Sequence, residues 1–161
     1  PQPKSLDIRH GDTGYSYDNL FAEYLDGAKN IELQEPYLSN IYQLQNLTRF
    51  AEMIVKLGTC KKLSLTTKVC DTYDDTQKVQ SSLEQLKAAL ADMGVEFEYT
   101  FSDLIHARFI QSDNGWNISL DRGLHIYQAP AQPKNYFLMG SYDLELRPCK
   151  ETKIIYTRTK E

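Results

Sequence analysis

The sequence predicts an α/β fold with a mixed sheet, in which a parallel βαβ core flanked by helices continues into an antiparallel C-terminal extension. Helical and strand-like segments alternate as far as residue 101, and strand-like segments follow one another from residue 104 onward. Strands separated by helices join through right-handed crossovers into parallel sheets covered on both faces, whereas consecutive strands pair antiparallel. We therefore expect a single domain at 15–161, preceded by a polar lead-in at 1–14.

Three segments have the periodicity of amphipathic helices. Each starts at a residue that can cap a helix N-terminus and stops at a glycine. The predicted limits are Ser16 to Gly27, Ser39 or Asn40 to Gly58, and Asp75 or Thr76 to Gly94. The third segment has the clearest apolar stripe, formed at intervals of four and three residues by Val79, Leu83, Leu86, Leu90 and Met93.

Strands are predicted between and after these helices. Segments 30–33, 61–70 and 95–101 are expected to form the parallel core. Segments 105–112 and 116–121 flank the sequence Asp-Asn-Gly, which is a strong signal for a hairpin turn. A proline-containing loop is expected at 128–135, and the last strands are predicted at 136–140, 142–146 and 152–157.

The composition, which is 41% hydrophobic and 25% charged, is typical of a globular domain. No apolar run is long enough to span a bilayer. Cys60, Cys70 and Cys149 lack the spacing of a disulfide framework or a zinc site, so no metal or other cofactor is predicted, and reduced thiols fit a cytoplasmic location.

Charge is distributed unevenly along the chain. The net charge of -4 does not favour nucleic acid as a partner. Residues 71–99 hold seven acidic residues against two lysines, whereas the tail from Arg147 holds five basic residues against two acidic ones. This pattern predicts either a local basic surface or solvated faces that serve solubility.

The segment around His106 has the residues of a phosphate site. On a strand, His106 and Arg108 point to the same face, and Asp113 could orient the imidazole. The arginine fork matches phosphate oxygens, and a histidine can act as nucleophile, acid or hydrogen-bond donor. The alternative is an ordinary polar strand face followed by an ordinary hairpin turn.

Several segments together resemble the MIT C-terminal domain family. They cover most of the chain after the lead-in, in the same order, and lie at 14–25, 35–38, 46–53, 114–124 and 142–152. The resemblance implies a phospholipase D-like fold, whose signature is His-x-Lys followed by four residues and Asp. His106, Arg108 and Asp113 have that spacing, with Arg in place of Lys. Active members need two such motifs, and this chain has one.

The resemblance thus implies a non-catalytic module that associates with membranes through acidic phospholipid headgroups or another phosphate ligand and takes part in cytokinesis. The residues expected to bind the ligand are His106, Arg108, Asp113, Asn117, Arg122, Arg147, Tyr37 and Glu35. One alternative is a phosphodiesterase or nuclease that is active as a homodimer, in which two copies of His106 face each other. Another is a scaffold with a vestigial site that docks other domains of a parent protein.

Overall fold

The computed structural model describes residues 1–129 and 138–159, and its central feature is a seven-stranded mixed sheet. The strands are β1 Lys4–Ile8, β2 Asn30–Gln34, β3 Lys62–Thr67, β4 Glu96–Phe101, β5 Phe109–Ser112, β6 Trp116–Leu120 and β7 Thr152–Arg158. Their order in the sheet is β1-β7-β6-β5-β2-β3-β4. Strands β2, β3 and β4 pair in parallel, and the remaining pairs are antiparallel. The predicted parallel core and antiparallel extension are therefore confirmed.

The helices agree with the predicted segments, with one early start. A π-helical turn at Asp18–Ala22 leads into α1 (Glu23–Leu25), and the longer helices are α2 (Ile41–Leu57) and α3 (Tyr73–Asp92). Asn40 caps α2 by accepting the Gln43 N–H at 3.0 Å. Helix α3 begins before the predicted Asp75 or Thr76, because the Thr72 hydroxyl accepts the Asp75 N–H. None of the helices in the described residues is long and apolar enough to cross a membrane.

The described helices contribute to a core on one face of the sheet, and the other face is polar and accessible. In β3, for example, Leu63 and Leu65 are buried, whereas Ser64 and Thr66 are only half-buried. The expectation that the sheet is covered on both faces is thus wrong for the part of the chain that the structure describes. A strand that buries only every second side chain needs a helical layer on one side alone.

Two terminal segments differ from prediction. Within the lead-in at 1–14, Lys4–Ile8 forms the edge strand β1 and pairs with β7, which was missed because an edge strand can remain largely polar. The strand predicted at 142–146 is wrong, since Leu144–Leu146 forms a 3-10 turn. The strand predicted at 136–140 starts outside the described residues, and 138–140 lie in a bend and turn. The last strand is confirmed as β7.

Strand β5 begins later than predicted, at Phe109, because the chain first crosses the sheet from its β4 edge. At the usual strand spacing this path is roughly 14 Å long, and residues 102–108 cover it. The Ser102 N–H donates to the Thr67 carbonyl at 2.8 Å, and the Gln34 amide donates to the Ala107 carbonyl at 2.8 Å. The crossing segment 102–108 therefore passes the carboxyl ends of β3 and β2.

A buried carboxyl group joins the end of β2 to the turn that follows β6. Glu35 is fully buried, and its two oxygens accept the Tyr37 N–H at 3.1 Å and the Leu124 N–H at 2.9 Å. Gly123 makes this approach feasible, because a Cβ atom there would lie 1.9 Å from a Glu35 oxygen. We call these contacts the Glu35 clasp.

The environment of the clasp changes the proton affinity of two groups. Burial raises the pKa of Glu35 to about 7, although the two backbone N–H groups and Arg108 oppose this shift. His125 Nε2 lies 3.4 Å from a Glu35 oxygen and donates to the Tyr37 carbonyl at 2.6 Å. Burial lowers the pKa of His125 to about 4, so the imidazole is neutral at neutral pH. The contact between His125 and Glu35 is therefore not an ion pair at that pH.

Replacing Gly123 should disrupt the clasp. Gly123→Ala forces Glu35 away from two backbone donors, and we expect it to lower the free energy of unfolding by about 3 kcal/mol or more. Gly27→Ala is the matched control, because Gly27 also has a positive φ but has open space where a Cβ atom would lie. Backbone strain alone should cost that variant about 1–2 kcal/mol. Urea denaturation measures the free energy of unfolding of both variants. Equal decreases in the two variants would contradict the clasp.

The clasp also predicts a pH dependence that one substitution reveals. The stabilising contribution of Glu35 is present below pH 4.5 and is lost as pH rises through about 7, because the folded state holds the proton more tightly. The contribution of His125 is present above pH 6.5 and is lost as pH falls towards about 4. The two changes oppose each other over the pH range that they share.

In His125→Gln only the Glu35 contribution remains. We compare the change in the free energy of unfolding between pH 5 and pH 8 in the variant and in the wild type. Because the variant lacks the opposing gain from His125, we expect its change to be more negative than that of the wild type by about 2 kcal/mol. Chemical denaturation at the two pH values measures this difference. His106→Gln replaces an exposed histidine and should follow the wild type. A wild-type profile in His125→Gln would show that the two groups do not compensate.

Candidate functional site

His106 and Arg108 both lie in the crossing segment, so the expectation that they project from one face of a strand is wrong. His106 is exposed, and no residue that the structure describes forms a hydrogen bond with it. Arg108 is half-buried, with its guanidinium 4.9 Å from the centre of the Tyr37 ring and its charge close enough to lower the pKa of Glu35. The arginine is therefore held in place, whereas the histidine is not.

Asp113 lies at the opposite end of β5, in the turn before β6. Its carboxylate accepts the Lys29 N–H at 2.9 Å and the Asn30 side-chain amide at 3.1 Å. The four-residue strand separates Asp113 from Arg108 by roughly 15 Å, so the prediction that Asp113 orients the His106 imidazole is wrong. Asp113 instead fixes the hairpin turn to the start of β2.

The other predicted residues are scattered around this region. Asn117 is on the open face of the sheet, where it lines a shallow depression together with Arg108, Asp121 and Lys153. Arg122 is exposed, and its Nε donates to the Glu151 carbonyl at 2.6 Å. Tyr37 lies beneath Arg108, and the fully buried Glu35 acts as a positioning residue. None of these four residues lines the cavity described next.

Three basic residues converge on a cavity of about 230 Å³ beside the N-terminal half of α2. We call it the basic pocket. Its cations are Arg49, Arg147 and Lys150, and its other lining residues are Asn40, Tyr42, Gln43, Asn46, His125, Tyr127, Gln128 and Ala129. No carboxylate is found among the lining residues that the structure describes. Of the residues predicted from the sequence, Arg147 alone belongs to this set.

The pocket is assembled from distant parts of the chain. Arg49 comes from α2, His125 from the turn after β6, and Arg147 and Lys150 from the approach to β7. Arg147 is buried, and it donates from Nε to the Gly140 carbonyl at 2.6 Å and from Nη2 to the Ser141 carbonyl at 2.8 Å. These two bonds hold the guanidinium in one position without neutralising its charge.

A chain of hydrogen bonds connects the pocket to the Glu35 clasp. Arg49 donates to the Asn46 side-chain oxygen at 3.2 Å. The Asn46 amide lies 3.2 Å from His125 Nδ1, which must accept because Nε2 donates to the Tyr37 carbonyl. Both ring nitrogens of His125 are thus engaged, so it can orient Asn46 and Arg49 but has no free nitrogen for proton transfer to a ligand.

The electrostatics of the pocket favour an anion. Burial lowers the pKa of Arg147, and the nearby charge of Arg49 lowers it further. No carboxylate in the described residues lies within 4.0 Å of the charged atoms of Arg49, Arg147 or Lys150. Partly buried cations that repel each other are stabilised when an anion binds between them. Two guanidinium groups and an ammonium group together suit phosphate oxygens.

Three of the pocket residues carry little signal in the sequence. Arg49 lies on a helix where a solvated arginine is ordinary, and His125 is an isolated histidine. Lys150 belongs to the basic tail, whose excess of positive charge was the one available signal. Of the other bases in that tail, Lys153 is 3.7 Å from Asp7 and Arg158 stacks on Trp116.

Comparisons with known proteins identify relatives of this chain. Residues 14–158 match the model of a family described as the phospholipase D-like domain at the C-terminus of MIT. The chain is 38% identical over 154 residues to MIT domain-containing protein 1 of Mus musculus, covering 94% of this chain and 60% of that protein. The chain therefore spans less than two thirds of the length of this relative.

Two solved structures are more distant. A phosphatidylserine synthase of Haemophilus influenzae Rd KW20 aligns with a TM-score of 0.43 and 8% identity, over 96% of this chain and 34% of the synthase chain. The archaeal chromatin protein TrmBL2 aligns with a TM-score of 0.38 and 13% identity, over 94% and 46% of the two chains. The extent of the family match and the identity to the mouse protein establish that the chain belongs to the family of phospholipase D-like domains at the C-terminus of MIT proteins.

Proposed function

We propose that this domain is a non-catalytic module that binds acidic phospholipid headgroups, and that the basic pocket holds their phosphate. The observation that carries the proposal is the convergence of Arg49, Arg147 and Lys150 on a pocket with no carboxylate among its described lining residues. Arginine offers a planar fork to phosphate oxygens, and lysine adds a mobile point charge.

The overall negative charge of the chain does not oppose this proposal. Many of the acidic residues belong to the stretch 71–99, which lies in and around α3 and β4 at one edge of the sheet. The pocket is formed by α2 and by segments that follow β6. Each basic residue near an anionic membrane surface contributes about 1 kcal/mol of attraction, and this attraction falls off within a Debye length. Binding should therefore depend on local charge and weaken with salt.

The degenerate motif supports binding over catalysis. The single His-x-Arg motif is not assembled into a unit, since Asp113 is hydrogen-bonded to Lys29 and Asn30 far from His106. Within the pocket, both nitrogens of His125 are occupied. A catalytic imidazole would need a free nitrogen within reach of the phosphate. Turnover of an activated phosphodiester by the wild-type chain would contradict the non-catalytic part of the proposal.

Removing a pocket cation should weaken membrane binding. We expect Arg49→Gln and Lys150→Ala each to reduce binding to vesicles of phosphatidylcholine and phosphatidylserine about fivefold. Co-sedimentation at low and physiological salt measures this, and the salt dependence should become shallower in each variant. Lys87→Ala is the control, because Lys87 is exposed on α3 and does not line the pocket. Equal effects from all three substitutions would indicate only general charge attraction.

Replacing the motif histidine distinguishes the basic pocket from the motif as the phosphate site. We expect His106→Ala to bind the same vesicles as tightly as the wild type, because His106 is exposed and does not line the pocket. Co-sedimentation of His106→Ala beside Lys150→Ala makes the comparison directly. Weaker binding in His106→Ala, with unchanged binding in Lys150→Ala, would show that the phosphate binds at the motif and not in the basic pocket.

A further inference from the structure

We propose that the first turn of α2 inserts apolar side chains into the bilayer beside the basic pocket, so that the partner is an anionic membrane surface rather than a free phosphate ester. This inference rests on the proposed function, because the pocket supplies the phosphate contact next to the insertion. It assigns a membrane-penetrating role to Ile41, with Tyr42 at the interface.

The exposure of these side chains is the first observation. Ile41 is 61% exposed and Tyr42 is 51% exposed, although α2 buries a long apolar stripe elsewhere along its length. Both follow directly on Asn40, which caps the helix and lines the pocket, and Tyr42 lines the pocket as well. The insertion side chains and the phosphate contacts thus occupy adjacent surface.

The absence of charged residues from the adjoining sequence is the second observation. From Pro36 to Thr48 the chain has no Asp, Glu, Lys or Arg, and the preceding Glu35 is fully buried. Moving a surface into the interfacial region of a bilayer is costly where charged groups must lose water and cheap where they are absent. Tyrosine suits the headgroup level because its ring is apolar and its hydroxyl is polar.

The first turn of α3 provides an internal comparison. Tyr73 opens that helix as Ile41 opens α2, and it is 77% exposed. Asp71, Asp74 and Asp75 surround it in sequence and would be repelled by an anionic membrane. An exposed apolar residue at a helix start is therefore not sufficient. Of these two helix starts, only the α2 end combines it with an adjoining pocket of cations and an uncharged stretch of sequence.

A second exposed apolar pair is connected to the pocket through Arg147. Arg147 holds the carbonyls of Gly140 and Ser141, and the turn so anchored exposes Leu138 at 57% and Met139 at 75%. A pocket of cations that is connected to exposed apolar side chains matches the layering of a lipid surface, in which phosphate lies above the acyl boundary.

The position of Ile41 is tested by fluorescence. Ile41→Trp should show a blue-shifted emission on addition of vesicles of phosphatidylcholine and phosphatidylserine, and brominated acyl chains should quench it. Tyr73→Trp is the matched control and should show neither change. The native Trp116 is 3% exposed and contributes equally to both samples. Identical behaviour of the two variants would overturn the insertion.

The energetic role is tested with Ile41→Ser, which removes apolar surface at an exposed position and leaves the Asn40 cap in place. We expect about tenfold weaker binding to the same vesicles but unchanged binding to water-soluble glycerophosphoserine. Lys150→Ala should weaken binding to both probes.

If Lys150→Ala weakens vesicle binding and Ile41→Ser does not, the insertion is wrong and the phosphate pocket stands. If Ile41→Ser weakens it and Lys150→Ala does not, the phosphate pocket is wrong and the insertion stands. Wild-type protein that binds neither probe overturns both.

Discussion

The carboxyl group of Glu35 holds together the part of the molecule on which the proposed site depends. It is fully buried at the end of β2 and accepts hydrogen bonds from the backbone N–H groups of Tyr37 and Leu124. One buried group thus satisfies a backbone donor in each of two loops. The missing side chain of Gly123 provides the necessary space. Because the clasp fixes the turn after β6, it also places His125, whose neutral ring donates to the Tyr37 carbonyl and accepts from the side-chain amide of Asn46 in α2. The basic pocket is therefore positioned by a group that does not touch it.

The sheet topology explains why the motif residues are separated. Strand β4 lies at the edge and β5 in the middle, so the chain needs the crossing segment 102–108 before β5 can pair with β2 and β6. His106 and Arg108 belong to that segment, whereas Asp113 follows the strand. The spacing of the motif is retained in the sequence, but the three side chains do not converge. Arg108 instead covers Tyr37 and acts on Glu35 through its charge, which links the motif to the clasp.

The distribution of charge is more informative than its total. Arg49, Arg147 and Lys150 come from separate places in the chain and share one pocket, while many acidic residues lie in and around α3 and β4. Burial and mutual repulsion make the unpaired cations receptive to an anion, and the uncharged start of α2 lies next to them. A chain with a net charge of -4 can therefore present a surface that suits an anionic membrane.

The sequence by itself determined the order of helices and strands, most of their limits and the parallel core, because capping residues, glycines and apolar periodicity act over a few neighbouring residues. It also determined the family, through motifs at fixed positions. The tertiary structure decided the polar edge strand β1, the open face of the sheet and the composition of the pocket. Arg49 and Lys150 are about a hundred residues apart in the chain, and nothing in the local sequence of either specifies the other. Their meeting depends on the packing of α2 against the sheet and on the Glu35 clasp, and these contacts exist only when the whole domain is folded.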